Sequence, residues 1–292
     1  MLKTLKPIAA AAAAVLALAF AAGPAASAPS ANLPENVKSS GVLKNGVIGT
    51  FSPYTITNAD RSITGAAMDL LPHLEKILGV KIETKALAGH TATMLALTSG
   101  RVDALIEPVG DYPDREKNYD FVDYVKEYVV FLVPKGNPKG IKDIADTCGL
   151  RVSVMAAGSA ERVIKKQSEV CKAQGKPAVT VLSFEGQAAP TLAVASGRAD
   201  AFFSSQAPLT YFSKQNDGKF ELAAVGRANG FDDIFQGIAV KKGSPLGPAL
   251  LDAMKVLFEN GTYAQIMKKY GLEANMIDAP GINLATSKKT AQ

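Results

Sequence analysis

A ten-residue segment that occurs twice constrains this chain more than any other feature of it. Leu95–Ala104 reads LALTSGRVDA and Leu192–Ala201 reads LAVASGRADA, one copy near the middle of each half. In both, an apolar helix end meets a glycine, the residue that turns left-handed at least cost, and a buried strand starts just beyond it. Reuse of one helix–turn–strand unit points to two lobes of the same architecture, against chance recurrence of a common connection.

The surrounding pattern agrees. Val47-Ile48, Val80–Ile82, Ala104–Ile106, Val129–Val133, Val152–Val154, Val179–Leu182, Ala201–Phe203, Leu222–Val225 and Ile238–Val240 read as strands. Met68, Leu71, Leu74 and Leu78 hold helical spacing, as do Leu250, Met254 and Leu257 before Gly261. Strands alternating with helices predict an α/β fold in which each lobe is a mostly parallel sheet flanked by helices. Val133–Pro138 and Val240–Pro245 each end an apolar strand in a Gly/Pro turn and are taken as the joints of a two-strand hinge. The expected division is 33–133 for lobe 1, 134–238 for lobe 2, 239–278 for the return into lobe 1, and 279–292 for a tail. Ligands of open parallel sheets sit beyond the carboxyl ends of the strands, so two facing lobes predict a cleft that closes about the hinge.

The N-terminus reads as a secretory signal peptide over residues 1–28. Lys3 and Lys6 precede the uncharged run Ile8–Ala22, and Ala26-Ser27-Ala28 supplies a small-residue exit. That run is shorter than the ~20 residues of a spanning helix. Cleavage there leaves about 264 residues and lowers the net charge from +5 to +3, with charges interspersed. A nucleic-acid footprint is therefore not expected. Cys148 and Cys171 are the two cysteines, and in an oxidising compartment they predict one disulfide. His73 and His90 are not spaced from them as metal ligands, so neither metal nor cofactor is expected.

An ordered set of short motifs resembles the polar amino-acid family of bacterial solute-binding proteins, the extracytoplasmic components of ABC importers. The set runs from about Gly41 to Met276: Gly49-Thr50 with Pro53-Tyr54, Gly65 with Asp69-Leu70, Leu78-Gly79-Val80 and Ser99-Gly100-Arg101-Val102-Asp103. It continues through Pro113-Asp114-Arg115, Asp120-Phe121, Ala157-Gly158-Ser159, Ser196-Gly197-Arg198, Gly237-Ile238-Ala239-Val240 and Gly261-Thr262-Tyr263. The resemblance implies the two-lobed periplasmic-binding-protein fold and a ligand held between the lobes.

It also assigns residues. Arg115 matches the family's carboxylate-binding arginine, a role that suits a planar fork donating two parallel hydrogen bonds. The alternative is a surface arginine paired with Asp111, Asp114 or Glu116. Ala157, Gly158 and Ser159 match a second-lobe turn that closes on the same carboxylate, with Ser159 also expected as an N-cap. The family's usual ammonium-binding acid is absent, since Ser204 and Ser205 follow Asp200 and Phe51 replaces another acid. Glu107, four residues past Asp103, is taken as its substitute, against the alternative of a surface acid paired with lysine. His90 falls at a side-chain contact, Phe51 and Tyr54 are candidate walls, and Gly110 completes the first-lobe set. Asp111 and Glu185 are further candidates, whereas His73 belongs to an ordinary helix.

The expected function is capture of an amino acid or related small carboxylate or amine by a monomer that delivers it to a membrane permease from the periplasm. The rivals are a dehydratase-like enzyme on the same cleft, using Glu107 and His90, and a ligand sensor.

Overall fold

The structure is a computed structural model that describes residues 33–287 except 217, 232 and 233. The expected signal peptide and the end of the expected tail, 288–292, lie outside the described residues.

The strands are β1 (Val42–Val47), β2 (Ile56–Thr57), β3 (Ile63–Thr64), β4 (Lys81–Ala86), β5 (Ala104–Gly110), β6 (Tyr119–Glu127), β7 (Val129–Pro134), β8 (Arg151–Met155), β9 (Thr180–Phe184), β10 (Ala201–Ser205), β11 (Phe220–Ala223), β12 (Ile234–Lys241) and β13 (Met276–Ile282). The helices are α1 (Glu35–Ser40), α2 (Ala66–Leu78), α3 (Gly89–Ser99), α4 (Ser159–Ala173), α5 (Ala188–Ala195), α6 (Gln206–Gln215), α7 (Leu246–Glu259), α8 (Thr262–Lys269) and α9 (Leu284–Ser287). One sheet has the order β13-β6-β12-β5-β1-β4 and the other β11-β7-β10-β8-β9. Each is the expected parallel trio (β4-β1-β5 and β9-β8-β10) extended on one side by antiparallel strands.

The repeat maps onto equivalent corners of the two lobes. Gly100 and Gly197 take φ of 75° and 71° at the ends of α3 and α5, and β5 and β10 follow. Asp103 Oδ2 accepts from the Lys44 amide at 2.8 Å, and Asp200 Oδ2 accepts from the Arg151 amide at 2.8 Å. The aspartate of each copy thus ties its turn to the parallel strand beside it, β1 in one lobe and β8 in the other.

Both cores follow from period-2 and period-3.6 patterning. Leu70, Leu74 and Leu78 of α2 pack with Leu250, Met254 and Leu257 of α7 over Ile106 and Ile238. In the second lobe Val129, Phe131 and Val133 face one buried cluster while Val130 and Leu132 face another. Such a strand is covered on both sides, which is why it reads as an unbroken apolar run.

The crossings between lobes differ from the expected joints. Val129–Pro134 belongs to the second sheet and Ile234–Lys241 wholly to the first, so the chain crosses at Tyr128 and again before Ile234. The Gly/Pro turns after Val133 and Val240 instead reverse the chain beyond the crossing regions, where Lys135 N bonds Lys219 O and Lys242 N bonds Asn118 O. A crossing made in extended backbone needs no turn residue, so it leaves no Gly or Pro as a marker. Glu127 pins this point, its Oε1 accepting from the amides of Tyr128 (2.8 Å) and Ala207 (3.4 Å) and from Asn275 Nδ2 (3.2 Å). Residues 279–287 are likewise not a tail. β13 pairs with β6, and Leu284 N and Ala285 N donate to Asp123 and Asp111.

Cys148 and Cys171 form a disulfide that ties the start of β8 to α4. It closes 23 residues of chain, worth about 3 kcal/mol in the chain-entropy account. Cys148→Ser with Cys171→Ser should lower the unfolding free energy by that order in a urea titration, and an unchanged midpoint would refute a stabilising role. Among the described residues no helix is long and apolar enough to cross a membrane.

Candidate functional site

The ends of β1, β5, β8 and β10 converge on the space between the lobes, as the position of ligands at open parallel sheets requires. Ile48, Phe51, His90, Gly110, Tyr112 and Arg115 line it from the first lobe, with Gln236 of β12. Val129, Met155, Gly158, Ser159, Ala160, Ser204 and Ser205 line it from the second lobe. The space left is about 40 Å³, room for little more than a water molecule, so the lobes stand closed.

Arg115 lies at the centre. Its Nη1 donates to Gly110 O at 3.0 Å and its guanidinium lies 5.1 Å from the centre of the Tyr112 ring. Among the described residues no acid pairs with it, so the surface ion pairs weighed against a ligand role do not form: Asp114 pairs with Arg162 of the other lobe instead. Loss of solvation lowers the Arg115 pKa from its usual value. A cation in that position has unspent donors and a standing demand for an anion.

Opposite it, α4 starts at Ser159 with Gly158 as N-cap. Ser159 is therefore the first helical residue, not the cap that its sequence context suggests. The first-turn amides lack partners inside the helix and carry its positive dipole end. Ala157 departs from expectation, because its amide already donates to Glu161 Oε2 at 2.8 Å. Of the expected turn, Gly158 and Ser159 reach the cleft and Ala157 lies at its outer rim.

Glu107 does not line the cleft. It is 1 % exposed, Oε1 accepts from the Ile48 amide at 2.8 Å, and Oε2 accepts from Thr55 Oγ1 at 3.0 Å. Burial pushes its pKa up to about 7 despite those two donors. The carboxylate is spent holding the loop after β1 beneath the cleft floor. Tyr54 is also a core residue, fully buried against Phe51 with ring centres 5.6 Å apart, and Phe51 alone of the two forms wall.

His90 is at the cleft, and burial first, then the Arg115 charge, lowers its pKa to about 3. It is neutral at physiological pH, with Nδ1 unpartnered. Ser204 bonds Gln187 at 3.3 Å, and Ser205 is the N-cap of α6. Asp111 lies outside the cleft. It is 1 % exposed and bound to the Ala285 amide, and burial raises its pKa to about 7. Glu185 stays outside too, beside Gly89 at the start of α3. His73 is an exposed residue of α2.

Tyr112 and Gln236 were missed from sequence. The Tyr112 hydroxyl meets Ser159 Oγ at 2.7 Å across the cleft, and its ring is flanked by Arg115 and, at 5.6 Å, Arg162. A Cβ on Gly110 would stand 2.4 Å from that ring, so Gly110 makes room for it. Gln236, 6 % exposed, presents an unpartnered Oε1. Both lie beside quoted motifs, Tyr112 just before Pro113-Asp114-Arg115 and Gln236 just before Gly237-Ile238, and that adjacency was the available signal.

Known proteins resemble the chain throughout. It is 29% identical over 260 residues to the L-cystine-binding protein TcyJ of Escherichia coli, covering 88% of this chain and 92% of that one. It is 28% identical over 258 residues to the arginine-binding protein ArgT of Corynebacterium glutamicum, covering 87% and 82%. The solved structure of an ancestral arginine-binding protein bound to glutamine superposes with a TM-score of 0.71 at 29% identity, over 80% of this chain and 99% of that one. The family described as bacterial extracellular solute-binding proteins, family 3, matches residues 43–273, and the chain belongs to it.

Proposed function

We propose that the chain is the periplasmic ligand-capturing component of an ABC importer, and that it closes on the carboxylate of a small amino-acid-like solute for delivery to the permease. The observation that carries this reading is Arg115 in the interlobe cleft, with no acid partner and facing the unpaired first turn of α4. Arg115 and the amides of Ser159 and Ala160 take the carboxylate, Phe51 and Met155 wall its body, and His90, Gln236, Ser204 and Ser205 supply neutral polar contacts. The relatives that bind arginine, cystine or glutamine support the size and type of ligand. The protein acts as a monomer, exported by its leader. An acid–base role for Glu107 with His90 has no support in the geometry, because both Glu107 oxygens are engaged below the floor.

Thermal-shift screening of amino acids, opines, amines and plain carboxylates tests the reading. A true ligand at 100 times its dissociation constant adds ~2.7 kcal/mol of stability. Calorimetry on Arg115→Lys should then show at least tenfold weaker binding, since an ammonium does not reproduce the bidentate fork. Equal affinity would remove Arg115 from the site.

A further inference from the structure

We infer that the cleft selects a monocarboxylate that carries no ammonium group, a 2-oxo or 2-hydroxy acid rather than the matching α-amino acid. The inference rests on the carboxylate-binding reading above and narrows its ligand.

The argument is one of charge. Among the described residues that line the cleft, Arg115 is the single ion and no Asp or Glu is present. One carboxylate on Arg115 therefore neutralises the site. An α-ammonium would add a second positive charge to a cleft whose closed form leaves about 40 Å³. Taking a cation out of water is costly unless an anion replaces the solvent. The nearby first-lobe acids are spent elsewhere, Glu107 on Ile48 N and Thr55 Oγ1, and Asp111 on Ala285 N.

What the cleft does offer is neutral. Gln236 has an unpartnered amide oxygen, His90 is uncharged with Nδ1 free, and Ser204 and Ser205 add hydroxyls. A ligand hydroxyl can donate to the Gln236 oxygen, and the Ser204 and Ser205 hydroxyls can donate to a keto oxygen, in neither case bringing charge.

The test is calorimetric titration with matched trios that share one side chain. L-leucine, 2-hydroxyisocaproate and 2-oxoisocaproate form one, and L-phenylalanine, phenyllactate and phenylpyruvate another. In each trio the oxo or hydroxy acid should bind at least tenfold tighter than the amino acid. Ser205→Asp places an anion on the cleft wall at an N-cap that favours aspartate, and should invert the preference by at least tenfold with the unfolding temperature retained. If the amino acids bind as tightly as their oxo partners, and Arg115→Lys still weakens them, this inference fails while the carboxylate reading stands. If no carboxylate binds in an Arg115-dependent way, both fail together.

Discussion

Arg115→Met should weaken carboxylate binding a hundredfold or more while leaving the unliganded protein at least as stable as the parent. The two effects have one cause. The guanidinium has Gly110 O as its hydrogen-bond acceptor and the Tyr112 face beside it, with no acid among the described residues to offset its desolvation. Methionine keeps much of the volume and removes that cost. The ligand loses two charge-assisted hydrogen bonds, each worth about 1.5–3 kcal/mol, so about 3 kcal/mol is a lower bound and corresponds to about two decades of affinity. Paired urea and calorimetric titrations check both halves. A variant that binds normally, or one that loses several kcal/mol of stability, would contradict the account of Arg115 as a residue strained for its ligand.

Stability should fall as pH rises from 5 to 8, opposite to the acid-labile behaviour of most folds. Glu107 and Glu127, both 1 % exposed, are each pushed up to about 7 by burial. A carboxyl that holds its proton in the fold but loses it on unfolding makes the native state bind more protons throughout that window. The slope of stability against pH is then negative. Each contributes about 2–3 kcal/mol at pH 5 that is gone by pH 8. Asp111, also pushed up to about 7, acts in the same direction, whereas buried neutral His90, which takes up a proton on unfolding, offsets about 2 kcal/mol of the gain at pH 5. Carboxylates held low by partners, such as Asp200 beside Arg151 and Asp120 beside Lys242, act below this range, so the net slope stays negative. Glu107→Gln keeps the shape and the acceptor for Ile48 N, so it should remove about 2–3 kcal/mol of this pH dependence and be the more stable protein at pH 8. Urea midpoints at pH 5, 6, 7 and 8 measure it, and an unchanged slope would show that Glu107 is ionised in the fold.

The lobes were legible because the repeat carries its own hydrogen bond, Asp103 to Lys44 N and Asp200 to Arg151 N, and a short motif encodes a local corner. Arg115, Gly158, Ser159, Ser204 and Ser205 lie at the cleft because each sits at or just past the carboxyl end of a strand whose position the fold dictates. Glu107 misled for a definable reason. β5 is buried along its whole length, so no alternation marks which side chains face the cleft and which the interior. The hinge was invisible for the complementary reason, since Tyr128 crosses in extended backbone while the Gly/Pro turns that attract attention lie elsewhere.

The Tyr112–Ser159 bond and the Asp114–Arg162 pair span the cleft mouth from opposite lobes. While they hold, diffusion brings a solute to a shut entrance, and capture waits on the frequency with which two weak ties part together. Residence is governed by the same ties once the solute is inside. Tyr112 therefore acts on the tempo of exchange in both directions, through a bond to the opposite lobe that is separate from the bonds Arg115 makes to its ligand.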